Sequence, residues 1–225
     1  MELHEFTAQV QLDQLRRGDI TPTELATHYL DRIERLDGGL GAFTTVTRDA
    51  ALERARHVEQ HVPKAAPLWG LPLGDKDLWR RAGVRTTMGS RLFEHHVPDQ
   101  SDEIVLALDA AGAVSLGKTN APEFGLPAYT ESLVAPPART PWNTSLGAGG
   151  SSGGAAVAVA AGLLPLAPGS DGGGSIRIPA AATGLVGLKP SRGRVPAGSG
   201  FLSLGGLVTA GPLARTVADA ALLLD

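Results

Sequence analysis

Three segments of this chain hold residues whose type and spacing could do chemistry. The first is Gly169-Ser170-Asp171-Gly172-Gly173-Gly174-Ser175-Ile176-Arg177-Ile178-Pro179. Three glycines ahead of a serine can turn successive N–H groups toward one point, the geometry of an oxyanion hole beside a nucleophile. A tight loop with a surface serine is the plainer alternative. The second is Gly147-Ala148-Gly149-Gly150-Ser151-Ser152-Gly153-Gly154, which opens directly into an alanine-rich stretch. Two hydroxyls at a helix start, flanked by glycines, allow close backbone approach to a ligand; a flexible Gly/Ser linker is the alternative. The third is Lys76, bracketed by Leu73 and Leu78. A strand lysine usually sits at a solvated edge. A buried one loses part of its proton affinity, because desolvation disfavours the charged form, and a neutral amine is a general base. In a strand, Asp75 and Asp77 point to the face opposite Lys76 and leave that effect intact.

Other chemistries fit poorly. Gly112-Ala113-Val114-Ser115-Leu116-Gly117-Lys118-Thr119 matches the spacing of a phosphate-binding loop. That loop needs a strand before it and a helix after it. Here a helical pattern precedes Gly112, and Pro122 stands where the helix should begin. The six histidines lie outside the Gly/Ser segments, so a Ser-His-Asp triad has no evident histidine, and all six read as solvated surface groups. No His/Asp/Glu set has metal-ligand spacing along the chain. The absence of cysteine rules out disulfides and thiolate chemistry. Formal net charge is −3 with both signs mixed throughout, so no nucleic-acid partner is implied. The N-terminus lacks a signal-peptide pattern, and the weakly polar run 153–169, interrupted by Pro165 and Pro168, is too short to span a bilayer. A soluble, cytoplasmic protein with no membrane partner is expected.

The elements that must position these residues alternate between helices and short apolar strands, which predicts an α/β fold. Helical spacing covers 5–17, through Phe6, Val10, Leu12 and Leu15, with Gly18 as the stop. Thr21-Pro22-Thr23-Glu24 reads as a capping box opening a helix that buries Leu25, Tyr29, Ile33 and Leu36. Helices are also predicted over 49–59, from a Ser101 cap to Ala111 before Gly112, and over 155–163. Strands are expected within 68–78, 113–116 and 164–167, and a loop over 135–150. A last helix starts at Thr216 and is still apolar at Leu224, so the sequence reads as the front part of a longer protein.

Taken together, these segments resemble the amidase signature family of serine hydrolases. Lys76-Asp77, Leu116-Gly117-Lys118-Thr119-Asn120, Gly149 to Gly154, Asp171 to Pro179 and Gly211-Pro212-Leu213-Ala214-Arg215 carry the likeness, with Ser151 and Ser175 24 residues apart. The resemblance implies a mixed open sheet covered by helices on both faces, with residues 1–225 as the N-terminal catalytic part of one domain. It implies Ser175 as nucleophile, Ser151 as a bridging serine on a cis Gly150–Ser151 bond, and Lys76 as base. The N–H groups of Gly172, Gly173, Gly174 and Ser175 would form the oxyanion hole. Gly125 and Ser152 fall at substrate-facing positions, and no cofactor or metal is implied.

Three departures stand out. Gly172 replaces the usual Thr or Ile, Gly74-Asp75 replaces a small apolar pair, and Gly125 leaves room where substrate would lie. The expected reaction is hydrolysis of a small-molecule amide through an acyl-enzyme. Alternatives are the glutamine-hydrolysing subunit of an aminoacyl-tRNA amidotransferase, or an inactive or partner-dependent fragment. Expected partners are a second copy of the chain or a complementary C-terminal half.

Overall fold

The computed structural model describes residues 1–196 and 204–225. Seven α-helices and six strands alternate among the described residues: α1 Ala8–Arg17, α2 Pro22–Leu36, β1 Phe43–Val46, α3 Arg48–His61, β2 Pro72–Lys76, α4 Glu103–Ala110, β3 Val114–Thr119, α5 Gly153–Ala160, β4 Leu166–Asp171, α6 Arg177–Thr183, β5 Val186–Gly187, β6 Thr209–Ala214 and α7 Val217–Leu224. The α/β expectation holds. The strands form two three-stranded sheets, in order β1-β3-β2 and β4-β6-β5. The first is mixed, with β1 antiparallel and β2 parallel to the central β3; the second is antiparallel throughout. β2 packs beside β4, so Lys76 at the end of one sheet meets Ser170 at the end of the other.

Local chemistry explains most boundaries. Thr21 Oγ1 accepts from the Glu24 N–H at 3.1 Å while the Glu24 carboxylate accepts from the Thr21 N–H at 2.8 Å, the predicted capping box. Leu25, Tyr29 and Ile33 are buried as expected, but Leu36 is exposed at the frayed end of α2. α1 begins at Ala8 rather than residue 5, because Thr7 Oγ1 caps it by accepting from Val10 N–H. Val10 therefore faces solvent, and Ala8, Leu12 and Leu15 form the buried stripe. Gly18 ends the helix with φ +79°. The cap of α4 is Asp102, one residue past the predicted Ser101; Ser101 Oγ instead accepts from Ala82 N–H. Thr216 caps α7 as read from the sequence.

The core lies between the sheets and α2, α3 and α5. α5 is buried on nearly all sides, from Gly153 to Val159. Its glycines are steric necessities: a Cβ on Gly154 would lie 2.3 Å from the Asn120 nitrogen and 2.5 Å from the Ala42 oxygen. Such close backbone approach sets the two serines before α5 against the end of β3. The phosphate-loop pattern is the turn after α4 followed by β3 itself, so its amides are in a sheet ladder rather than a nest. No helix among the described residues is long and apolar enough to cross a membrane.

Candidate active site

Lys76 is completely buried. Its Nζ lies 2.9 Å from Ser151 Oγ, 2.8 Å from Ser152 Oγ and 3.0 Å from Ser170 Oγ. Burial pulls the amine down to about 7 from an ordinary value near 10.5, against a partial upward pull from the Asp171 carboxylate. The neighbouring acids face elsewhere, as the strand alternation predicts. Asp75 is paired with Arg81 at 2.6 Å and accepts from Ser115 Oγ at 2.8 Å. Asp77 accepts from the Thr87 N–H at 3.1 Å and lies 4.0 Å from Lys118 Nζ. Their charges are balanced on the far face of β2, and this leaves Lys76 among hydroxyls.

The two Gly/Ser segments close over this amine. Ser152 N–H donates to Ser175 O at 3.0 Å, and Ser170 N–H donates to Ser152 Oγ at 3.2 Å. Ser152 thus ties the start of α5 to both β4 and the Ser175 loop. The Gly150–Ser151 bond is cis. A Cβ on Gly150 would fall 2.7 Å from Tyr129 backbone atoms, so the close approach at this bond admits only glycine. Ser151 and Ser175 line one cavity together with Gly125, Leu78, Phe124 and Ile178. Gly125 has φ +69°, and a Cβ there would lie 2.6 Å from Leu78 Cδ1 and 3.4 Å from Ser151 Oγ. It therefore leaves space directly beside the hydroxyl. Ser175 is half-buried, and among the described residues no hydrogen bond engages its Oγ. Most of the cavity wall is apolar, and Arg192 is its one charged group among the described residues.

Asp171 organises the glycine loop. Its buried carboxylate accepts from Gly174 N–H at 2.7 Å and Ile176 N–H at 3.2 Å, and pairs with Arg177 through Nε at 2.9 Å and Nη2 at 3.0 Å. Burial alone would raise this acid. The arginine and the amides outweigh burial and hold it at about 2. The Gly174 N–H is thereby committed to Asp171, which departs from the expected set of oxyanion donors. The amides of Gly172, Gly173 and Ser175 have no protein acceptor among the described residues, and all three residues line the cavity. Sequence reasoning assigns no role to Ser170 or Asp171. The signal for Asp171 is an acid six residues ahead of an arginine across a glycine turn; Ser170 carries none, since its role depends on β4 lying beside β2.

Two of the six histidines are not the solvated groups expected. His4 and His28 are partly buried, and the fold brings them together with Glu2 although the chain spacing does not. His57, His61, His95 and His96 are exposed.

An α/β core that buries a lysine against Ser151 and Ser152 of a glycine turn and Ser170 of a neighbouring strand defines a class, and comparison supplies its name. A family model described as Amidase matches residues 24–225, and the chain belongs to that family. It is 46% identical over 227 residues to a glutamyl-tRNA(Gln) amidotransferase subunit of Desulforapulum autotrophicum, an alignment covering 100% of this chain and 46% of that protein. A solved 6-aminohexanoate cyclic dimer hydrolase, complexed with substrate, superposes with TM-score 0.92 at 33% identity, over 99% of this chain and 46% of that one. A bacterial aryl acylamidase of the amidase signature family gives TM-score 0.87 at 35% identity, over 97% of this chain and 46% of that one. The chain spans about half the length of the relatives it matches.

Proposed function

We propose that residues 1–225 are the N-terminal catalytic part of an amide hydrolase that works by acyl transfer to Ser175. The observation that supports this best is the buried amine of Lys76, held near neutrality and 2.9 Å from Ser151 Oγ on the wall of the cavity that Ser175 shares. Ser152 is committed as a donor to Ser170 O at 3.2 Å and must therefore accept from Lys76. Ser170 Oγ accepts the second N–H of a neutral amine. The nitrogen lone pair is left for the hydroxyl proton of Ser151. When Ser175 attacks the carbonyl carbon, its proton passes to Ser151 oxygen as Ser151 passes its own to Lys76. The oxyanion takes N–H bonds from Gly172, Gly173 and Ser175. Cleavage of the C–N bond returns the proton to the departing nitrogen and leaves an acyl-serine, which water attacks by the reverse relay.

For the amide itself, the relatives favour a glutamine side chain, since the protein 46% identical over the whole of this chain belongs to an amidotransferase. The apolar cavity wall supports a second reading, an aryl or acyl amide of low polarity. Because the chain spans 46% of that relative's length, the 225-residue chain is expected to turn over slowly until joined by a complementary half. The serine assignment is tested by covalent labelling with a fluorophosphonate. Ser175→Ala should abolish labelling, and Ser151→Ala and Lys76→Ala should slow it by about 10²-fold or more. Labelling that persists in Ser175→Ala overturns the reading. Comparing glutamine with an anilide as protectants against labelling separates the two substrate classes.

A further inference from the structure

The N-terminal segment builds a ligand set unrelated to the cavity of Ser175. Glu2 precedes and His4 sits on a single 3-10 turn, Leu3–Glu5, and His28 projects from the middle of α2. His4 Nδ1 lies 3.2 Å from His28 Nε2 and 3.3 Å from Glu2 Oε2, and all three donor atoms lie within 4.8 Å of one another. A tetrahedral zinc ion with bonds of about 2.0–2.2 Å separates its ligands by about 3.3–3.5 Å, so both short edges match one ion in length. The ring centroids of the two histidines are 5.4 Å apart while the nitrogens are 3.2 Å apart, so the rings meet edge to edge with each nitrogen aimed at the other, and each ring has to swing by about 40° for both lone pairs to converge on one ion. Among the described residues no other trio of His, Asp and Glu converges in this way.

The turn is held firmly. Arg215 donates to His4 O at 2.6 Å and also to Phe6 O, and Gln11 Nε2 donates to Leu3 O at 3.0 Å. Arg32 donates to Gly162 O at 2.9 Å and Ala161 O at 3.2 Å, and its Nη1 also lies 3.9 Å from Glu2 Oε2, an ion pair that a bound metal would have to replace; Asp31 and Glu34 share the hollow with Arg35. We propose that Glu2, His4 and His28 form a structural site for a divalent transition metal, zinc in the first instance, that clips the N-terminal turn to α2. Two imidazoles and one carboxylate suit zinc and its neighbours in the first transition row, whereas calcium and magnesium take oxygen ligands alone. A water or a second carboxylate from the hollow completes four-coordination.

The test is calorimetric titration of the chelator-dialysed 225-residue chain with zinc chloride, repeated with cobalt(II) and read by visible absorption. One ion per chain in the micromolar range or tighter is expected, with the intense d–d bands of four-coordinate cobalt and a raised melting temperature. His28→Gln and Glu2→Gln should each weaken binding by about tenfold or more. The Glu2 side chain is 67% exposed, so that variant reads the site even if His28→Gln were to misfold. The double variant His57→Ala/His61→Ala should bind as the parent does. Affinity no better than millimolar, binding unchanged in both single variants, or binding lost with the His57/His61 pair overturns the proposal.

Discussion

If Lys76 is the base, the rate of Ser175 acylation must follow the neutral fraction of that amine. The perturbation is pH alone. With the amine held at about 7 by burial, about 90% is neutral at pH 8 and about 1% at pH 5. The second-order rate of fluorophosphonate labelling should therefore fall about 90-fold between those two values and be flat above pH 8. A lysine at its usual value of about 10.4 would behave differently, with the rate still climbing about tenfold per unit from pH 8 to 9.5. A second readout does not depend on activity. Between about 7 and the ordinary value of 10.5, the unfolded chain holds a proton on this amine that the folded chain lacks, so stability should rise with pH across that window. Lys76→Met should lose that part of the slope, leaving the contribution of Lys118, whose amine burial also lowers. Labelling that keeps climbing above pH 8, or that is constant from pH 5 to 9, would refute the role of a depressed amine.

Removing the Asp171 charge should move the acid limb downward, because that carboxylate is what holds the Lys76 amine up against burial; an alkaline displacement of the labelling profile in Asp171→Asn contradicts the charge argument. Gly125→Val should slow labelling by at least about tenfold, since its Cβ falls 2.6 Å from Leu78 Cδ1 and 3.4 Å from Ser151 Oγ at φ +69°; an unchanged rate would place the acyl group elsewhere. Thr21→Ala should cost about 1 kcal/mol in urea denaturation by removing the hydroxyl half of the capping box, the bond from the residue-21 N–H to the Glu24 carboxylate being kept, whereas Ser101→Ala should not act through α4, whose cap is Asp102.

What the sequence made legible was local. The capping box at Thr21 and Glu24, the glycine stop at Gly18 and the Thr216 cap each depend on groups a few residues apart, and each lies where expected. The strand at Lys76 was readable from the leucines that bracket it, Leu73 and Leu78, and its alternation turned Asp75 and Asp77 away. Boundaries failed where tertiary contacts decided them. β3 runs on through Gly117, Lys118 and Thr119 because β1 and β2 pair with it from either side, a fact its own polar residues hide. Lys118, which looks like a surface residue by type, is buried against Thr86 and Asp77 for the same reason.

The candidate site divides along the same line. Glycine-serine spacing exposed Ser151 and Ser175, since glycines are required wherever backbone must pass within contact distance of backbone, as at Gly150 and Gly154. The hydrogen bonds that fix the direction of the Lys76 lone pair were not readable. They join Lys76 on β2 to the start of α5 and to β4, 75 to 94 residues further along the chain. The direction matters more than the distance. Were Ser152 able to donate to Lys76, the amine could turn a proton toward Ser151, and the relay would stall with no acceptor at its end. Ser170 closes that option by taking the Ser152 proton on its carbonyl and returning its own N–H. In the proposed mechanism, a residue with no signature in the sequence would thus determine whether the lysine faces the serine as a base or as one more donor.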